Sequence, residues 1–198
     1  MIKFASALTA TALTLASVAA IAAAPAAPAA KPAPLTGSIG FIGSKVTGSH
    51  TGDFKKWSGS VTLAGGKAEG GKLEFTVQTA SVVVDESSRN DWTPKLEEHL
   101  KSADFFDVAK FSSASFTSTE IKAGGAGGSH TVKGNLTLRG VTKVVTFPAT
   151  IAVKGGEVSG KTEFSINRKD FGLVYAGTAD DLIRDGVVLK IDVKASAK

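Results

Sequence analysis

Side chains equipped for chemistry are few in this chain, and their spacings do not assemble into a reaction centre. The three histidines stand at positions 50, 99 and 130, with none of the His-x-His or His-Glu-x-x-His spacings that hold a metal. Carboxylates gather in two places. Asp104 and Asp107 flank the pair Phe105-Phe106, and Asp180, Asp181 and Asp185 form a small acidic group; such carboxylates usually cap turns or face water. No Gly-x-Ser-x-Gly elbow occurs, and the paired glycines Gly65-Gly66 and Gly155-Gly156 lack the Lys-Ser/Thr that completes a phosphate loop. Cysteine is absent, which removes disulfides, thiolate metal sites and a cysteine nucleophile together. The sequence therefore predicts no catalytic residues, no metal and no enzyme.

The elements that remain must do their work with apolar surface. Of 198 residues, 23 are Lys or Arg and 18 Asp or Glu, a net charge of +5 spread without a run of like charges, so a nucleic-acid footprint is not expected. Between Lys3 and Lys31 no charge appears, and an apolar centre from Ala7 to Ile21 precedes small residues. This reads as an export signal over residues 1–24, cut between Ala20 and Ala30, and it places the chain in the periplasm or outside the cell. Residues 25–36 read as an Ala/Pro-rich tether, and 37–198 as one folded domain.

From Leu35 onward apolar residues recur at every second position, the mark of strands buried on one face. Leu73, Phe75 and Val77 alternate with Glu74, Thr76 and Gln78; Val187, Leu189, Ile191 and Val193 alternate with Lys190, Asp192 and Lys194. About eight such segments are separated by glycine turns, at Gly65-Gly66, Gly124 to Gly128, Gly140 and Gly155-Gly156, which suits sequential hairpins. The expectation is an all-β, eight-stranded antiparallel up-and-down barrel, with a sandwich as the alternative. Two long interruptions break the pattern. Residues 81–110 contain one short helix near Thr93-Pro94-Lys95-Leu96, with Thr93 as its cap, and residues 168–186 carry apolar side chains that must pack on something.

Charged residues occupy one face of these strands, and a lysine at mid-bilayer depth costs roughly 2 to 4 kcal/mol, so that face meets water and the aliphatic face points inward. Inward Phe75, Leu136, Leu138, Phe147, Ile151, Phe164 and Ile166 then either fill a solid core or line a hollow. With strands of about nine residues at 3.4 Å each, a hollow would be long and narrow, roughly 30 Å, and suited to a chain.

Four segments carry a resemblance. His50-Thr51-Gly52-Asp53-Phe54, His99-Leu100-Lys101-Ser102-Ala103-Asp104-Phe105-Phe106-Asp107-Val108, Gly134-Asn135-Leu136-Thr137-Leu138-Arg139-Gly140-Val141-Thr142-Lys143 and Asn167-Arg168-Lys169-Asp170-Phe171-Gly172 together resemble the YceI family of exported bacterial proteins. The chain departs from the family pattern at Phe111-Ser112, where an aromatic residue is often followed by proline, and in the loop 176–185. The resemblance implies a lipocalin-like barrel binding a polyisoprenoid or similar long-chain amphiphile, quinone-like or fatty-chain cargo included, in a monomer or homodimer with no cofactor and no chemistry. The cavity residues it implies are Phe41, Phe54, Leu73, Phe75, Val77, Leu100, Phe105, Phe106, Leu136, Leu138, Phe147, Ile151, Phe164, Ile166 and Phe171. His50, His99, Arg168 and Asp170 are the candidate head-group contacts. A lipid-modifying hydrolase or isomerase on the same barrel, and an envelope stress protein acting through its surface, are the alternative readings.

Overall fold

The computed structural model describes residues 31–197. The expected signal peptide at 1–24 and the start of the tether lie outside the described residues. Eight chain segments form the wall. β1 comprises Ala33–Pro34 and Thr36–Lys45, and β2 comprises Gly48–Phe54 and Trp57–Ala64. β3 is Lys67–Gln78, β4 Ser113–Ala123, β5 His130–Leu138, β6 Val141–Lys154, β7 Glu157–Asn167 and β8 Gly186–Ser196. Each pairs antiparallel with its successor, and β8 pairs with β1, so the sheet curls into an up-and-down barrel as expected.

The strand count differs in detail. The sheet holds eleven hydrogen-bonded strands, not eight, because β1 and β2 are each broken in two and the three-residue strand Val82–Val84 adds itself to the edge of β2. The break in β2 falls at Lys55-Lys56. Buried Phe54 sits at an even position while Val61 and Leu63 sit at odd ones, so the inward face changes parity across the kink. In β1, Gly37 has φ +127°, and a Cβ there would lie 2.1 Å from the carbonyl oxygen of Asp192. Only glycine lets the chain pass from β2 to β8 at that point. Because Ala33 and Pro34 pair with Val61 and Ser60, residues 33–36 belong to the sheet and not to the tether, and the folded unit begins before residue 37.

Up-and-down order sorts the connections by length. The short turns at Gly65-Gly66 and Gly155-Gly156 and the 124–129 loop share one end with the first and last strand residues, Ala33 and Ser196. Both long connections emerge at the other end, beside the tight turns at 46–47 and 139–140. The first carries Val82–Val84 and helix α1, Thr93–Lys101. Thr93 is the first helical residue and not the cap; its hydroxyl accepts from the Asn90 N–H at 3.0 Å, and Trp92 stands at the cap position without a side-chain bond. Among the described residues no helix is long and apolar enough to cross a membrane. The outer wall carries cross-strand ion pairs, Lys161 with Asp192 at 3.6 Å and Lys190 with Glu163 at 3.1 Å, while Val132, Phe147, Ile191 and Val193 are buried inside.

Candidate functional site

Inside the loop end lies a cavity of about 160 Å³. β1 presents Phe41 to it, β2 Phe54, β3 Phe75 and Val77, β5 Leu136 and Leu138, and β7 Ile166, while Leu100 of α1 and the following Phe105 and Phe106 close it from above. These ten expected residues are brought together. Alternation fixes them: each strand member stands an even number of places from its inward neighbours.

Other expected cavity residues are elsewhere. Leu73, Phe147 and Ile151 line a separate space of about 40 Å³ toward the turn end. Phe164 stacks on Phe147 with centroids 4.1 Å apart and planes 6° from parallel; Phe116 leans on Phe147 at 5.5 Å and stacks on Phe75 at 5.3 Å. Phe75 and Phe116 line the inner chamber and Phe147 the smaller space, so this run of four phenyl rings lies between the two, and the hollow expected along the whole barrel is divided, with its larger part at the loop end. Phe171 is buried in the turn after β7 and lines neither space. An apolar cavity of about 150 Å³ holds one benzene, so the inner chamber as it stands admits a single ring-sized or branched five-carbon unit.

A second hollow continues outward. A groove of about 380 Å³ lies between the end of β1 at Ser44-Lys45, Val84-Asp85, α1 and Ile183, and it shares Phe41, Gly43, Leu100, Phe105 and Ile183 with the inner chamber. Gly43 is the thin place in that partition: a Cβ there would meet only the Phe41 ring, at 4.0 Å. Inner and outer spaces together fall in the range of about 300 to 1,000 Å³ usual for small-molecule sites. Ile183 and Leu173, from the second long connection, and the near-wall glycines are residues that sequence reasoning left out. The apolar content of that connection was the available signal for the first two, and none marks a glycine that contributes by leaving space.

The polar candidates divide. Arg168, 3% exposed, lines the inner chamber, yet its donors reach backbone carbonyls: Nη1 to Leu173 at 2.5 Å, Nε to Arg184 at 3.0 Å and Nη2 to Ile183 at 3.2 Å. Asp185 stands 3.5 Å away. The guanidinium thus holds the second long connection against the barrel rim. His99 lines neither space; it packs edge-on against Phe105 and Tyr175, each at 5.0 Å, with Nε2 2.9 Å from Asp104. Asp170 is exposed and away from both hollows. His50 lines the outer groove, its Nδ1 2.6 Å from the Asp85 carboxylate.

Three carboxylates around this end are held in their charged form. At Asp85 burial pushes the carboxyl up, but hydrogen bonds from His50 and from the Thr51 N–H and hydroxyl outweigh it and the net shift is downward. The Arg89 guanidinium beside Glu97 lowers that carboxyl, which also accepts from the Val84 N–H at 3.1 Å and so ties α1 to the short strand. The Lys45 ammonium holds Asp181 below the usual carboxylate range, and Asp181 accepts from Thr47 as well.

The profile of the YceI-like domain matches residues 33–195. This chain belongs to that family. Among curated YceI-family relatives, a UPF0312 protein of Pseudomonas fluorescens strain SBW25 is 36% identical over 138 residues, 67% of this chain and 68% of the relative. The crystal structure of BcnA from Burkholderia cenocepacia superposes with a TM-score of 0.65 at 26% identity, covering 80% of this chain and 95% of that one. A polyisoprenoid binding domain from Saccharophagus degradans, implicated in plant cell wall breakdown, shares the fold with a TM-score of 0.62 at 17% identity, covering 84% of this chain and 98% of that one.

Proposed function

We propose that this YceI-family chain is an exported binding protein that holds the apolar tail of a polyisoprenoid or similar long-chain amphiphile, as carrier or reservoir and without chemistry. The observation that carries the reading is the inner chamber at the loop end, walled by Phe, Leu, Ile and Val, with an outer groove against the same partition. The tail's end enters the chamber and its next units lie in the groove once the partition at Gly43, Leu100 and Phe105 gives way. Each buried CH₂ contributes about 0.8 kcal/mol, so a few isoprene units outweigh association costs of several kcal/mol. Arg168 and Ser115 are the polar residues of the inner lining. Since Arg168 is committed to carbonyls, the lining supports holding over catalysis. The charge-free apolar stretch between Lys3 and Lys31 and the polyisoprenoid-binding name of the Saccharophagus structure agree with this reading. Native mass spectrometry of the purified protein tests it, before and after addition of a C20 isoprenoid. The expected result is one chain per protein; a protein that stays free of every amphiphile offered would overturn the proposal.

A further inference from the structure

We infer that the His50–Asp85 pair is a head-group site in the outer groove, and that it selects an uncharged head group bearing a hydroxyl over a phosphate. The inference rests on the binding role proposed above and names which members of that ligand class are accepted. His50 follows Phe54 and Gly52 back along β2 at two-residue spacing, so its ring is on the inward face, at the rim. Directly across the ladder stands Gly43, which has no side chain to fill the space between them. A tail seated in the inner chamber and leaving past Gly43 therefore brings its head to His50.

The chemistry of the site follows from which groups are already committed. Asp85 sits in the left-handed region, φ +45°, an uncommon conformation for a residue other than glycine, and is fixed there by the Thr51 N–H at 2.9 Å and the His50 ring. A charged carboxylate only accepts, so whenever the imidazole is neutral its single proton is on Nδ1. Nε2 is then left with its lone pair, and it makes no hydrogen bond among the described residues. A lone pair facing a groove takes an O–H donor, as an alcohol or a hydroquinone supplies.

A phosphate finds less. Lys45 is the cationic side chain lining the groove, and it is paired with Asp181, which is itself held by Thr47. With the ring neutral, the remaining charge in the lining is that of Asp85. An added anion would meet a carboxylate without a free cation to balance it, and an ether would leave Nε2 without its donor.

Isothermal titration with three probes of one chain length tests the assignment: geranylgeraniol, its methyl ether and geranylgeranyl phosphate. The wild-type protein is expected to bind the alcohol about 10-fold more tightly than the ether, the size of one hydrogen bond, and more tightly than the phosphate. His50→Phe is expected to erase the difference between alcohol and ether, and His50→Gln, whose Oε1 also accepts, to restore part of it. Equal binding of alcohol and ether to the wild type, tighter binding of the phosphate, or a preference that survives His50→Phe would each overturn the head-group site while leaving the binding role intact. If none of the three probes binds, the binding role falls and the head-group site falls with it.

Discussion

At the turn end of the barrel, Val132, Phe147, Ala149 and Val158 are buried against one another and leave about 40 Å³; at the loop end the same two-residue alternation leaves about 160 Å³. Strand geometry is common to both ends. What differs is the boundary between them, four interleaved phenyl rings, and the way each end is covered. Tight glycine turns bring neighbouring strands together at one end, while at the other two long connections bridge the rim from outside. A barrel end is hollow, then, where its cover comes from loops standing over the rim and not from the inward residues themselves.

The largest effect should come from breaking the boundary. Phe147 is 3% exposed and touches rings on both sides. Phe147→Ala is expected to cost about 3 to 5 kcal/mol in urea unfolding and to join the two spaces, so that a longer tail is accepted. Next is the fastening of the rim. Arg168→Met strands the buried carbonyl of Leu173 and the half-buried one of Ile183 and should cost about 3 kcal/mol, read from the same unfolding curves. Leu138→Ala, in a wall already facing empty space, should cost only about 2 kcal/mol, the low end for such changes. A loss equal to that of Phe147→Ala would mean that the loop end is packed as tightly as the turn end.

Eight strands were legible because alternation runs through most of each segment, and so was the inward face, because Lys161, Lys190, Asp192 and Glu163 all fall on the opposite one. The breaks in β1 and β2 were not. The parity change between Phe54 and Val61 records the kink in β2, yet a period read strand by strand averages over it. Ten of the fifteen expected cavity residues meet at one chamber; Leu73, Phe147, Ile151 and Phe164 lie beyond it, because alternation tells which face a residue occupies and not how far along the barrel it lies. Phe171 and Asp170, in a turn without periodicity, had no such constraint. The His50–Asp85 contact joins positions 35 apart in sequence, and only the pairing of Val82–Val84 with β2 brings them together.

Smaller effects sharpen the contrast. Gly43→Leu fills the partition between chamber and groove at a position with ordinary backbone angles and open space. It should change unfolding stability by no more than about 1 kcal/mol while strongly weakening chain binding in titration calorimetry. Acid should loosen the loop end before the turn end. Asp85, Glu97 and Asp181 all have carboxyls lowered by folding, so their contribution is complete above the unfolded carboxylate values, near pH 4, and is lost as pH falls through the lower folded values. Hydrogen exchange should show the Thr47 and Thr51 amides, which donate to Asp181 and Asp85, losing protection over that range while the Val132 and Phe147 amides keep theirs.

The central claim is a hollow that begins under the helix and stops at the phenyl layer. A crystal structure with a long-chain alcohol brominated at its terminal carbon locates the tail's end by anomalous scattering. The bromine is expected among Leu138, Ile166 and Phe75, above the ring of Phe116, with the hydroxyl toward His50. A bromine below that layer near Val158, or on the outer wall of the barrel, would contradict the account.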